Sequence, residues 1–348
     1  NDGCQGGAVH GRNATLAFSD VLFQDNEARD PDGLSGTAAV SGGGLFASGA
    51  NNSVERAEFI GNSAKNEGGG MYLENSLVVS DVLFQGNSAQ YGGGMWDEGG
   101  SVMTDLDFIS NTAERGGGLV GRAVSTTGGS YTRLYFEDNA ATMGGALYGE
   151  VTSPVITDCE FLDNHATEGG ALWFYYGTPI LNNTIIADNS ATYGSAFLSA
   201  FGQATMTGVT IYGNTGSYLI YDYTGSGTFS IRNSIIWGNG GSVYDGDVPV
   251  NARYSIVQGG VPAGWTGTSI VNSDPLFVGP TTGDLSLQSG SPAIDSGDNT
   301  VTVPALAATD LEGNPRRSDH PSVEDTGLGT APITDMGAYE YLWSGSDT

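Results

Sequence analysis

Phe84-Gln85-Gly86-Asn87-Ser88-Ala89-Gln90-Tyr91-Gly92-Gly93-Gly94-Met95-Trp96 is the stretch on which the reading of this chain turns. A bulky apolar residue stands three positions before an asparagine; a small residue, a glycine run and large apolar residues follow. The same phrase, opened by Phe or Ile, recurs around Asn26, Asn62, Asn111, Asn139, Asn164, Asn189, Asn214 and Asn239. From Asn62 onward the asparagines are separated by 25, 24, 28, 25, 25, 25 and 25 residues. A fixed period of roughly 20–50 residues marks a stacked repeat architecture.

Within each period, short alternating apolar runs such as Val82-Leu83-Phe84 are broken by glycine and asparagine, with no apolar stripe of helical length. The expected fold is therefore all-β, a right-handed parallel β-helix with coils of about 25 residues. Coils stacked about 4.8 Å apart turn equivalent residues into columns. Phe59, Phe84, Phe108, Phe136 and Phe161 form an expected inward stack, continued by Ile186, Ile211 and Ile236. Asn62, Asn87, Asn111, Asn139, Asn164 and Asn189 read as turn residues, because Asn tolerates left-handed backbone and its amide can bond the next coil. The glycine runs precede Met or Leu and no helix follows them, so they read as corners rather than phosphate-cradling loops.

Two resemblances follow from these motifs. The paired Phe-x-x-Asn and Gly-Gly-Ala/Gly-Met/Leu phrases resemble the repeats of chlamydial polymorphic outer-membrane proteins and of bacterial parallel β-helix surface proteins. Toward the C-terminus, Asp274-Pro275-Leu276-Phe277, Ser291-Pro292-Ala293-Ile294-Asp295-Ser296-Gly297, Asp310-Leu311-Glu312-Gly313-Asn314-Pro315-Arg316 and Asp335-Met336-Gly337-Ala338-Tyr339-Glu340 look like the closing segment of choice-of-anchor-type secreted β-helix proteins. These resemblances imply an extracellular or cell-surface setting and imply no particular activity. The expected organisation is a repeat domain over residues 1–258 and a closing segment over 259–348 packed on it.

Composition narrows the partners. Asp plus Glu outnumber Lys plus Arg by 39 to 11, Lys65 is the only lysine, and the formal charge is −28. Such a chain repels nucleic acid and anionic membrane surfaces. No apolar run approaches the roughly 18 residues of a membrane span. About a dozen coils predict a rod on the order of 60 Å long. Lacking a leader, the chain reads as a processed secreted form or a fragment. Cys4 and Cys159 fall about six coils, roughly 29 Å, apart and cannot pair.

Three columns are candidates for function. After each glycine corner runs Phe46, Tyr72, Trp96, Val120, Tyr148, Trp173 and Leu198; alternation points it outward, and Tyr72, Trp96, Tyr148 and Trp173 become a candidate glycan-stacking stripe. Six before each Asn runs Asp20, Arg56, Asp81, Asp105, Arg133, Asp158, Asn183, Gly208 and Asn233, an expected ion-paired surface ladder. Asp138, Asp163 and Asp188 precede three consecutive ladder asparagines and could hold calcium, as could Asp30 and Asp32; neither group matches a full calcium-loop pattern. No other cofactor is indicated.

For catalysis the chain offers little. Acidic columns could place paired carboxylates almost anywhere, and His10, His165 and His320 do not cluster in sequence. The paired-Asp, His-Gly and Arg-x-Lys motifs of polygalacturonases, a zinc-type Cys/His grouping and a nucleophile motif are all missing. The expectation is a non-enzymatic structural or adhesive solenoid that stacks head to tail into filaments or meets a host or neighbouring cell surface; the alternative is a carbohydrate-binding or polysaccharide-degrading β-helix.

Overall fold

The computed structural model describes residues 6–29, 40–49, 52–75, 77–122, 128–223, 227–302 and 304–345. It is an all-β parallel solenoid of about 25-residue coils, with about eight regular turns. One sheet of ten short strands runs from Val9–Arg12 to Ser242–Asp245, each strand parallel to its neighbour one coil away. A second sheet of thirteen strands runs from Ala17–Gln24 to Trp265–Val271. The third side of the coil is made of single bridges such as Ser88 to Thr112 and Tyr91 to Arg115. Ten rungs at about 4.8 Å give a rod nearer 50 than 60 Å.

The register of the second sheet aligns Phe59, Phe84, Phe108, Phe136 and Phe161. Their rings stack at centroid spacings of 4.7–5.0 Å and are fully buried. Beyond their burial, such pairs contribute about 0.5–1.5 kcal/mol each. Ile186, Ile211 and Ile236 carry the column on. Beside it lie Leu45, Met71, Met95, Leu119, Leu147, Leu172 and Phe197 from the ten-stranded sheet, so one core runs along the axis.

The asparagines are fully buried and bonded from coil to coil. The Asn87 backbone N–H and Nδ2 both donate to Asn111 Oδ1, at 2.9 and 3.0 Å, and Nδ2 also donates to the Phe59 carbonyl at 2.7 Å. Asn62, Asn111, Asn139, Asn164 and Asn189 repeat this pattern. A buried amide has four hydrogen-bonding positions to satisfy; the asparagines one coil away satisfy three of them and a Phe carbonyl the fourth.

The eight-residue strands are folded in the middle. Asp20, Arg56, Asp81, Asp105, Arg133, Asp158, Asn183, Gly208 and Asn233 all have φ between 47° and 64°. Asp, Asn and Gly tolerate left-handed backbone at low cost, which accounts for seven of these nine identities. A second left-handed column directly precedes the asparagines: Asp25, Gly61, Gly86, Ser110, Asp138, Asp163, Asp188, Gly213 and Gly238.

The C-terminal part lies against the outside of the thirteen-stranded sheet. Ile185, Ala187, Ile235 and Ile256 form a second core with Phe277, Leu285, Leu287, Ala293, Ile294, Met336 and Ala338. Asn233 accepts from the Asp298 N–H and donates to its carbonyl, at 2.7 and 3.0 Å, and the Ala338 N–H donates to Thr210 Oγ1 at 2.9 Å. Among the described residues, no helix is long and apolar enough to cross a membrane.

Candidate functional site

On the outer face of the ten-stranded sheet, the aromatic column forms a cluster separate from the axial core. Alternation therefore does point it outward. Its rings are nevertheless closed in: Tyr72, Trp96, Tyr148 and Trp173 are only 8, 6, 4 and 5% exposed. Tyr221 extends the column past Leu198, and Tyr91, Met143 and Tyr175 pack against it from its flanks. An open stacking stripe is thus replaced by a self-covering ladder.

The ring series is interrupted at Val120, and again at Leu198, which pairs with Trp173 on one side and Tyr221 on the other. Phe46, Tyr72 and Trp96 stack in succession with rings within 4° of parallel, and stacking resumes at Tyr148 and Trp173, whose rings are 15° apart. Between them stands Val120, too small to continue the series. The result is a pocket of about 190 Å³ lined by Glu67, Tyr91, Trp96, Arg115, Val120, Arg122, Tyr148 and Glu150. Strand register fixes these positions: Val120 pairs with Trp96 on one side and Tyr148 on the other, and Arg122 pairs with Glu150.

Arg115 enters from the flanking bridge column, its guanidinium 5.4 Å from the Tyr91 ring centre and 5.6 Å from that of Tyr148. Cation–π attraction holds it against both rings. Trp96 Nε1 and Arg115 Nε are buried without a hydrogen-bond partner. Arg122 lies 3.6 Å from Glu98, which accepts a 2.7 Å bond from the Tyr72 hydroxyl. Burial pushes the Tyr148 phenol up to about 12, against the opposing pull of Arg115. The pocket therefore offers ring faces with mixed donors and acceptors.

Asp138, Asp163 and Asp188 lie in the second left-handed column, all exposed. Asp138 accepts from Ser110 Oγ at 2.9 Å, and a carbon built on Gly213 would fall 2.1 Å from Asp188 Oδ1. Their oxygens do not gather within 4.8 Å as a trio; among the described residues Asp295, Asp319 and Asp325 do. Asp30, Asp32 and Cys4 lie outside the described residues. Cys159 is buried in the axial core as a free thiol, and burial pushes it up to about 12, which makes it inert.

In the ion-paired column, Arg56 bonds Asp20, and Arg133 bonds Asp105 through two hydrogen bonds of 2.6 and 2.9 Å. The Arg133 hydrogen bonds hold the Asp105 carboxyl below its ordinary value.

The residues that fasten the closing segment stand in the motifs that mark it in the sequence, which gave them no contacts. Arg316, 3% exposed, donates to Asn183 Oδ1 and to the Gly337 carbonyl, and lies 3.9 Å from Glu340. Asp310 accepts from the Asn314 and Glu340 N–H groups, and Asp335 from those of Asp295 and Tyr341. Their motifs are visible in the sequence, but their partners lie up to 133 residues away. No family model, curated protein or solved structure matches this chain, so the resemblances drawn above rest on the motifs alone.

Proposed function

We propose that this chain is a non-enzymatic, adhesive β-solenoid whose contact point is the break in the aromatic ladder at Val120, and that the break receives one neutral sugar unit of a glycan. The carrying observation is that pocket: ring faces of Trp96 and Tyr148, flanked by Arg115, Arg122, Glu67 and Glu150. Sugars present apolar C–H faces and a fringe of hydroxyls, which suits aromatic walls and interspersed charged donors and acceptors. At about 190 Å³ the space is below the roughly 300 Å³ of a drug-sized site and suits a single ring. A formal charge of −28 disfavours acidic polysaccharides. The secreted or surface setting belongs to the same proposal and rests on the motif resemblances.

The test is retention on immobilised neutral oligosaccharides, wild type against Val120→Tyr. A tyrosine there would extend the ladder and fill the pocket without disturbing the core. Retention lost in the variant at unchanged melting temperature supports the reading. Equal behaviour, or no retention of either, removes it and leaves a purely structural rod.

Head-to-tail association is a second reading, favoured by the strand Trp265–Val271, which among the described strands pairs only with Val250–Val257. Its other edge is open to a further strand. Negative-stain microscopy over a concentration series decides it: filaments support it, and isolated rods throughout reject it.

A further inference from the structure

At the outer edge of the closing segment three carboxylates converge. One oxygen from each of Asp295, Asp319 and Asp325 lies within 4.8 Å of the other two. Asp319 and Asp325 are exposed, whereas Asp295 is fully buried. Convergence of acids is common at surfaces and would mean little alone. What sets this group apart is Asp295 Oδ1, buried with no hydrogen-bond partner. Asp295 Oδ2 accepts only a long 3.3 Å bond from the His320 N–H. Leaving one oxygen of a buried carboxylate bare, on a residue with two further carboxylates beside it, is costly unless a cation takes the place of the missing donors.

We infer that Asp295, Asp319 and Asp325 form a calcium site. Oxygen ligands bind calcium at about 2.3–2.6 Å, so two on one ion are at most about 5 Å apart, and the present spacing falls within that limit. Magnesium at about 2.1 Å demands a tighter and more regular set, and an all-oxygen group without His or Cys ligands disfavours zinc. Two exposed ligands and one buried ligand give the ion a path in from solvent. The backbone already prepares the arrangement, because the Thr326 and Gly327 N–H groups donate to the Asp295 carbonyl at 3.0 and 3.1 Å. An ion here would tie the loop around Asp319–Asp325 to the turn at 292–295, and so clamp the closing segment. This inference is independent of the glycan reading.

The experiment is calorimetric titration of calcium chloride into the chelator-treated chain, with terbium luminescence and thermal unfolding as parallel readouts. The Asp319→Asn/Asp325→Asn double variant changes only exposed side chains, so its fold is not at risk. Wild type is expected to bind one calcium ion in this site and to melt higher in its presence. The double variant should lose at least about tenfold in affinity, since ligand charge sets calcium affinity. The triple variant Asp138→Asn/Asp163→Asn/Asp188→Asn should bind as wild type does. No binding by wild type, undiminished binding by the double variant, or loss in the triple variant would each overturn the inference.

Discussion

The thirteen-stranded sheet presents two different outer faces along one rod. Over Ser53–Ile60, Val78–Gln85 and Val102–Ile109, outward positions carry Glu55, Glu58, Asp107 and the charged corner residues, and they are half-buried or exposed. Over Ile180–Ala187 and Thr205–Tyr212 there is no charged residue, and nearly every position is buried. The corner column itself changes from Asp and Arg to Asn183, Gly208 and Asn233 at this point. Where water solvates the face, charge is retained; where the closing segment covers it, charge would have to be desolvated and is replaced by Asn, Thr, Ile and Gly. Gly208 shows the fit: a carbon built there would stand 3.0 Å from Arg316 Nη2. One repeat thus serves two environments by changing its outward residues while the inward positions stay apolar, Phe giving way to Ile, and the Asn column runs through.

This contrast is sharpened most by removing the single buried cation of the covered half. Arg316→Met is expected to lower the unfolding free energy by about 3–5 kcal/mol, because Glu340 and its neighbours stay buried without the guanidinium. Denaturant unfolding followed by tryptophan fluorescence measures it. Interrupting the asparagine ladder in the uncovered half comes next. Asn111→Ala leaves Asn139 Oδ1 and the Phe84 carbonyl each short of a donor, at about 2 kcal/mol or more in total.

The two halves should also respond to pH in opposite directions. Burial, then the adjacent Asp335 charge, raises Glu340 above its ordinary 4.5, with Arg316 opposing and Asp310 close by. The folded state therefore holds a proton that the unfolded chain releases, so this contribution is lost as pH rises through the raised value. Asp20 and Asp105 are lowered by Arg56 and Arg133, so their contribution is lost as pH falls through the acid range. Thermal melts across pH should show the alkaline loss diminished in Glu340→Gln and the acid loss untouched. Smallest of all, Arg133→Ala in the uncovered half should change stability by less than about 1 kcal/mol, and less still at high salt.

Periodicity made the solenoid and its inward columns legible in the sequence, because stacking forces identical residues into register. The outward direction of the Tyr72–Trp96–Tyr148–Trp173 column was legible too, by alternation. Its closure was not, because the residues that cover it, Tyr91, Arg115 and Met143, come from a bridge column of no constant chemistry. Val120 lay in view as a gap between rings, as did Leu198, but only the positions of Arg115 and Arg122 make the Val120 gap a pocket. The left-handed corner was signalled by its Asp, Asn and Gly residues and obscured by Arg56 and Arg133, which read as ion-pairing alone. Asp295, Asp319 and Asp325 have no repeat spacing, so only the folded chain brings them together. The lack of charge over Ile180–Ala187 and Thr205–Tyr212 was readable too, as a sign of burial whose covering partner the sequence does not name.

A double-mutant cycle between Asn183 and Arg316 tests most directly whether the closing segment docks where the charge disappears. Unfolding free energies of Asn183→Ala, Arg316→Met and the double variant should show a coupling of about 1 kcal/mol or more, as expected for contacting groups in one buried network. Effects that add to within about 0.5 kcal/mol would place the two side chains apart and contradict the docking described here.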